Sequence, residues 1–215
     1  MTSVVLLLGL EMPLKIIHPH HTEVIGKGLV LLFNPHVKGP RRDLYTGQIV
    51  EEAALLSRSW AIIAKESKHD QEEDNPRPAK SDFDGSVQAF VEEYGIKCVM
   101  VITGMSEPGI TIKGRQDDSQ SEEILEIIRT GLEPHFSINS TPEQVGNGPT
   151  NSPAVSQGTQ DAPTHSVLTV QLELGPDERG LLKDQIVGSI ADIVGLINAR
   201  LGFSDSNERG SGVLD

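Results

Sequence analysis

The chain has 215 residues, 37% of them hydrophobic and 4% aromatic, and a formal net charge of −13. That length suits one domain whose core is built mainly from Val, Ile and Leu. So acidic a chain repels phosphate backbones and anionic bilayers, which excludes nucleic acid and membrane as expected partners but leaves room for a small anion in a local basic pocket.

Residues 4–10 are apolar, but they follow no basic segment and Glu11 succeeds them at once. They read neither as a signal peptide nor as a membrane span. Residues 1–27 are expected to form an N-terminal extension. Residues 28–35 predict a buried strand closed by Pro35. Thr46 is placed to cap a helix reaching about Ser59, with Ile49, Ala53, Leu56 and Trp60 along one face. Residues 61–64 read as a second buried strand. Residues 67–84, with Pro76 and Pro78, read as a loop. Ser86 to Tyr94 predicts a short helix stopped by Gly95.

Residues 96–102 form the clearest central strand. They include Cys98, the one cysteine, which excludes an intrachain disulfide and a Cys-rich zinc site. In its apolar run Cys98 reads as packed core, in keeping with a reducing, cytoplasmic setting. Ser119 is placed to cap the next helix, with Glu122 and Glu123 at its positive end. Residues 139–165 predict a long loop. Residues 166–174 predict a strand with partial alternation, and 177–201 a helix with Ile186, Ile190, Ile193, Val194 and Ile197 on one face. The domain is expected to span 28–203, followed by a frayed tail over 204–215. Alternating strands and helices predict a three-layer α/β fold, with a mainly parallel or mixed central sheet and helices on both faces. Its ligand crevice should lie beyond the carboxyl ends of the strands.

Three groups of polar residues fall at such ends. His36 follows the first strand, where it could be a metal ligand, a base or an ordinary surface histidine. Asp74-Asn75-Pro76-Arg77 follows the second. A carboxylate there can bind metal and an arginine can clamp a substrate carboxylate, although Asp70, Glu72, Glu73 and Asp74 together also suit a solvated acidic turn. Glu173 lies near the end of the last strand. It reads either as a general base or as the ion-pair partner of Arg179.

In order along the chain these motifs resemble the N-formylglutamate amidohydrolases, which share their architecture with zinc carboxypeptidases. Asn34-Pro35-His36 with Arg42, Asp43 and Thr46 is similar to the family's Pro-His-Gly-like turn. Asp74-Asn75-Pro76-Arg77 approximates its Asp-x-Asn-Arg stretch. Gln171, Glu173 and Arg179 match its Gln-Leu-Glu strand and following arginine. The likeness covers roughly residues 28–201. It implies a phosphorylase/hydrolase-like fold, zinc held by His36 and Asp74, and Glu173 as catalytic base. It further implies Asn75, Arg77 and Arg179 around a substrate carboxylate, and a small N-acyl amino acid or related amide as substrate.

One departure weakens the zinc expectation. Where the family's central strand ends in Asp-x-His-Gly, this chain has Val101-Ile102-Thr103-Gly104, and a neutral hydroxyl is a poor zinc ligand. A silent site would leave a non-catalytic binding module on the same fold. Replacement ligands could come from His69, His135, His165 or an upstream cluster of His18, His20, His21 and Glu23, in which His20-x-x-Glu23 has the carboxypeptidase spacing.

Overall fold

The structure is a computed structural model that describes residues 13–18, 21–35, 45–64, 80–114, 119–139 and 167–203. Its strands are β1 (Leu14–Ile17), β2 (His21–Ile25), β3 (Val30–Asn34), β4 (Trp60–Ala64), β5 (Cys98–Gly104), β6 (Ile110–Gly114), β7 (Ile138–Asn139) and β8 (Leu168–Leu174). Its helices are α1 (Thr46–Ser57), α2 (Lys80–Tyr94), α3 (Ser119–Leu132), α4 (Pro176–Arg179) and α5 (Lys183–Arg200). The described strands make one eight-stranded sheet in the order β1-β2-β4-β3-β5-β8-β6-β7. The centre, β4-β3-β5-β8, is parallel, whereas β2 joins β4, and β6 joins β8, antiparallel. The sheet is therefore mixed, and helices cover both faces.

The four strands expected from sequence are these four central ones. Their continuous apolar runs follow from burial on two sides: β3 and nearly all of β5 are buried from end to end. On one face Leu32, Met100, Ile102, Leu172 and Leu174 meet α1, α3 and α5 through Ile49, Ile128, Ile190 and Val194. On the other face Leu31, Phe33, Ile62, Val99 and Val101 meet α2 through Val87, Phe90 and Val91. Cys98 lies in the larger core, and burial pushes its thiol up to about 12. The expectation of a packed, inert cysteine holds.

Several local expectations need correction. Trp60 is not on the buried stripe of α1, and Leu56 is 63% exposed. The helix ends at Arg58 in a left-handed conformation (φ 56°), and Ser59 N–H donates to Ala54 O. Trp60 can then open β4, where its indole N–H donates to Gly28 O and its ring stacks on Tyr94 at 4.2 Å. Thr46 does not cap α1 but lies inside its first turn, after Tyr45 at φ 69°. Helix α2 starts at Lys80, ahead of Ser86. The long C-terminal helix is two pieces, broken at Gly180. Residues 14–25, read as preceding the domain, supply β1 and β2, which extend the sheet beyond β4. Both strands escaped notice because β1 is mostly exposed, β2 is fully buried on one face alone, and neither has a long apolar run.

Candidate functional site

Register places a row of polar residues at the carboxyl edge of the sheet. Thr103 of β5 pairs with Glu173 of β8, which pairs in turn with Thr111 of β6. One step earlier on the same face, Val101 pairs with Gln171 and Gln171 with Lys113. Alternation explains the placement. In β8, Val170, Leu172 and Leu174 point into the larger core, so Gln171 and Glu173 must point to the opposite side. That side is the α2 face, and at β8 and β6 it is only partly covered.

Glu173 is anchored there. Its Oε2 lies 3.0 Å from Lys113 Nζ, and its Oε1 accepts from Gln171 Nε2 at 3.0 Å. The side chains of Lys113 and Glu173 are 41% and 22% exposed, so water screens the pair and its contribution to stability is small. Thr103 and Thr111 are buried beside it, and the Thr111 hydroxyl donates to Met105 Sδ. The cationic partner of Glu173 is thus Lys113, not Arg179. Sequence reasoning missed Lys113, although the alternation in Ile110-Thr111-Ile112-Lys113 signals a strand with one polar side.

Arg179 has another place. It is buried; its Nε donates to Leu174 O at 3.0 Å and to Gly175 O at 3.2 Å, and its Nη2 donates to Met105 O at 3.0 Å. These bonds tie the ends of β5 and β8 to α4. A guanidinium committed to three backbone carbonyls is a brace for the edge more than a clamp for substrate. Next to it the buried Glu178 accepts from Gly109 N–H at 3.2 Å, and Gly175 is so tightly enclosed that a Cβ would meet Glu178 Oε2 at 2.6 Å. On β3, Asn34 Nδ2 donates to Ile102 O, locking β3 to β5 at the same edge. The buried hydroxyl of Thr46, at the N-terminus of α1, has no hydrogen-bond partner among the described residues.

His36, Asp74, Asn75 and Arg77 lie outside the described residues, as do His20, His69 and His165. Of the residues expected at the site, Glu173 and Arg179 therefore have described positions, and Glu173 alone faces the open side. The described donors at this edge are Glu173 with Asn34, Thr103 and Thr111, and Glu178, whose carboxylate is turned to the Gly109 N–H. They do not fit a zinc ion, which needs imidazole, thiolate or further carboxylate ligands. Among the described residues such ligands converge elsewhere, at His18, His21 and Glu23. A shallow groove of about 460 Å³ on the outside of α3, lined by Glu122, Glu123, Glu126 and Arg129 among others, has no link to either place.

No protein-family model matches the chain, and no curated protein matches it in sequence. Solved structures do. A bacteriophage poly-gamma-glutamate hydrolase superposes with a TM-score of 0.52 at 10% identity, over 86% of this chain and 91% of its own. Zinc-free YNDL gives 0.48 at 13% identity over 86% and 92%. A metallo-carboxypeptidase from Pseudomonas aeruginosa gives 0.48 at 9% identity over 82% and 61%. The first likeness, nearly full-length on both sides, shows that this chain has the fold of that hydrolase. No described helix is long and apolar enough to cross a membrane.

Proposed function

We propose that the chain is a hydrolase of a small N-acyl amino acid or a related amide, of the N-formylglutamate amidohydrolase type, with Glu173 as proton acceptor. The observation that supports this reading is the position of Glu173: a carboxylate at the carboxyl end of β8, on the partly open side of the sheet, held in place by Lys113 and Gln171. Open α/β sheets bind their ligands at this edge. In the reaction Glu173 takes a proton from the attacking water and passes it to the leaving nitrogen, so that a C–O bond forms as the amide C–N bond breaks. Lys113 offers an ammonium to a substrate carboxylate at the same point. The described residues support binding and proton transfer, and no zinc set stands beside them.

One observation favours a second reading, a non-catalytic binding module on the same fold. Thr103 sits in register with Glu173 where the resembling family has a ligand histidine, and Glu173 is already neutralised by Lys113. Release of free amino acid from N-formyl-L-glutamate and a panel of N-acyl amino acids separates the two. A hydrolase releases product, and Glu173→Gln slows release by roughly 10²–10⁴. Saturable binding of the panel without release would overturn the hydrolase and establish the module.

A further inference from the structure

We propose that the β1–β2 hairpin carries a transition-metal site, best suited to zinc, formed by His18, His21 and Glu23. Strand geometry brings the three together. Ile17 pairs with Thr22, and His18 N–H donates to His21 O at 2.9 Å, so His18 and His21 stand opposite each other across the hairpin. Cross-strand partners share a face, and Glu23, two residues on, shares it too. The imidazoles stack with centroids 4.4 Å apart and planes 15° from parallel. Glu23 Oε1 lies 2.9 Å from His21 Nε2, and Glu23 Oε2 lies 3.2 Å from His18 Nε2.

Those separations suit coordination. With bonds of 2.0–2.2 Å, ligand atoms around a tetrahedral zinc stand roughly 3.3 Å apart, so small side-chain shifts would seat an ion. Two imidazoles and a carboxylate form a ligand set that zinc accepts, with the fourth position left to water. His21 and Glu23 are 15% and 16% exposed, enough to hold the ligands still; the His18 side chain is 38% exposed, but its Nε2 is buried against the carboxylate. Without metal, Glu23 hydrogen-bonds to His21 Nε2 and its other oxygen lies 3.2 Å from His18 Nε2. A bound ion would sit between these three atoms.

The site is separate from Glu173. Phe33 pairs with both Ile62 and Val101, so Ala64 and Thr103, each two residues on, stand level; His21 pairs with Ala64 and Glu173 with Thr103. His21 and Glu173 therefore occupy one row, four strand spacings apart, about 19 Å. No single water spans that gap, so this site is independent of the hydrolase reading. Its consequence is structural: β1 is one of the two edge strands of the described sheet, with Leu14 and Ile17 exposed, and a metal held by His18, His21 and Glu23 would clamp it to β2.

The test is calorimetric titration of the full chain with Zn²⁺, alongside His18→Ala, His21→Ala and Glu23→Gln. One equivalent should bind with micromolar affinity or tighter, and each variant should weaken it by at least about tenfold. Zinc at a hundredfold excess over the parent's Kd should raise the thermal midpoint by about 5 °C in the parent and by about half of that or less in the variants. Co²⁺ in place of zinc should give tetrahedral visible bands that vanish in His21→Ala and persist in Glu173→Gln. If His21→Ala fails to fold, the more exposed His18→Ala decides alone. Absence of micromolar binding by the parent would overturn the site, as would unchanged affinity and bands in His18→Ala.

Discussion

The two faces of the central sheet are built from the same strands and differ in what covers them. On one, α1, α3 and α5 seal an apolar layer that runs from Val24 to Leu174. On the other, the described side chains of α2 pack in one cluster with β3, β4 and β5, joined by Ile25 and Val167, and the sheet beyond it carries Gln171, Glu173 and Lys113. Both ligand-type clusters among the described residues, at Glu173 and at His18-His21-Glu23, fall on this second face, on either side of the patch that α2 shields. The difference teaches that stability and chemistry are divided between the faces. Packed methyl groups cannot move a proton, and a polar row under three helices would carry a heavy desolvation cost.

That division can be broken by substitution. The largest effect should come from the open face: Glu173→Gln is expected to lower kcat by roughly 10²–10⁴ while leaving the thermal midpoint nearly unchanged, because a side chain in a partly exposed pair contributes little to folding. A large loss of stability with unaltered turnover would reverse the roles assigned to the faces.

Valines on opposite faces give a matched pair for denaturant unfolding. Val170→Ala, under three helices, should cost about 2 kcal/mol, and Val101→Ala, near the margin of α2, about 1 kcal/mol, because the more open site can relax around the missing methyls. Equal losses would mean that the α2 face is packed as firmly as its opposite.

Cys98 probes the sealed face by pH. Burial raises its folded-state thiol to about 12 from 9.0. Between those values the unfolded chain releases a proton that the folded chain keeps, so stability should fall as pH rises through this window and be unaffected below it. Cys98→Ala should flatten that alkaline slope. At pH 8 the buried thiol stays protonated in the folded chain, so a thiol reagent should react only as fast as the protein opens. Rapid labelling of the native protein would show a breach in the larger core.

The smallest effect on stability belongs to Lys113. Lys113→Ala should change unfolding free energy by less than about 1 kcal/mol. It should nonetheless raise KM for substrates bearing a carboxylate more than it lowers kcat. An equal effect on uncharged amides would remove Lys113 from substrate recognition.

The sequence by itself determined the alternating α/β order, the central strands and the burial of Cys98. Each is carried by a local pattern: a continuous apolar run marks a strand covered on two sides, and one apolar stripe marks a helix. Glu173 was legible for the same reason, since Leu172 and Leu174 flank it and fix its outward direction. Tertiary structure decided what local pattern cannot encode. Lys113 meets Glu173 only because β6 turns antiparallel beside β8, and sequence separation says nothing of that pairing. Arg179 looked like a substrate clamp until the ends of β5 and β8 brought three carbonyls to its guanidinium. His18, His21 and Glu23 looked like a loose histidine-rich tract; the hairpin register turned their side chains to one face and closed them to ligand distance. Pairing across strands is set by the burial of whole faces, a property of the assembled sheet and of no single segment within it.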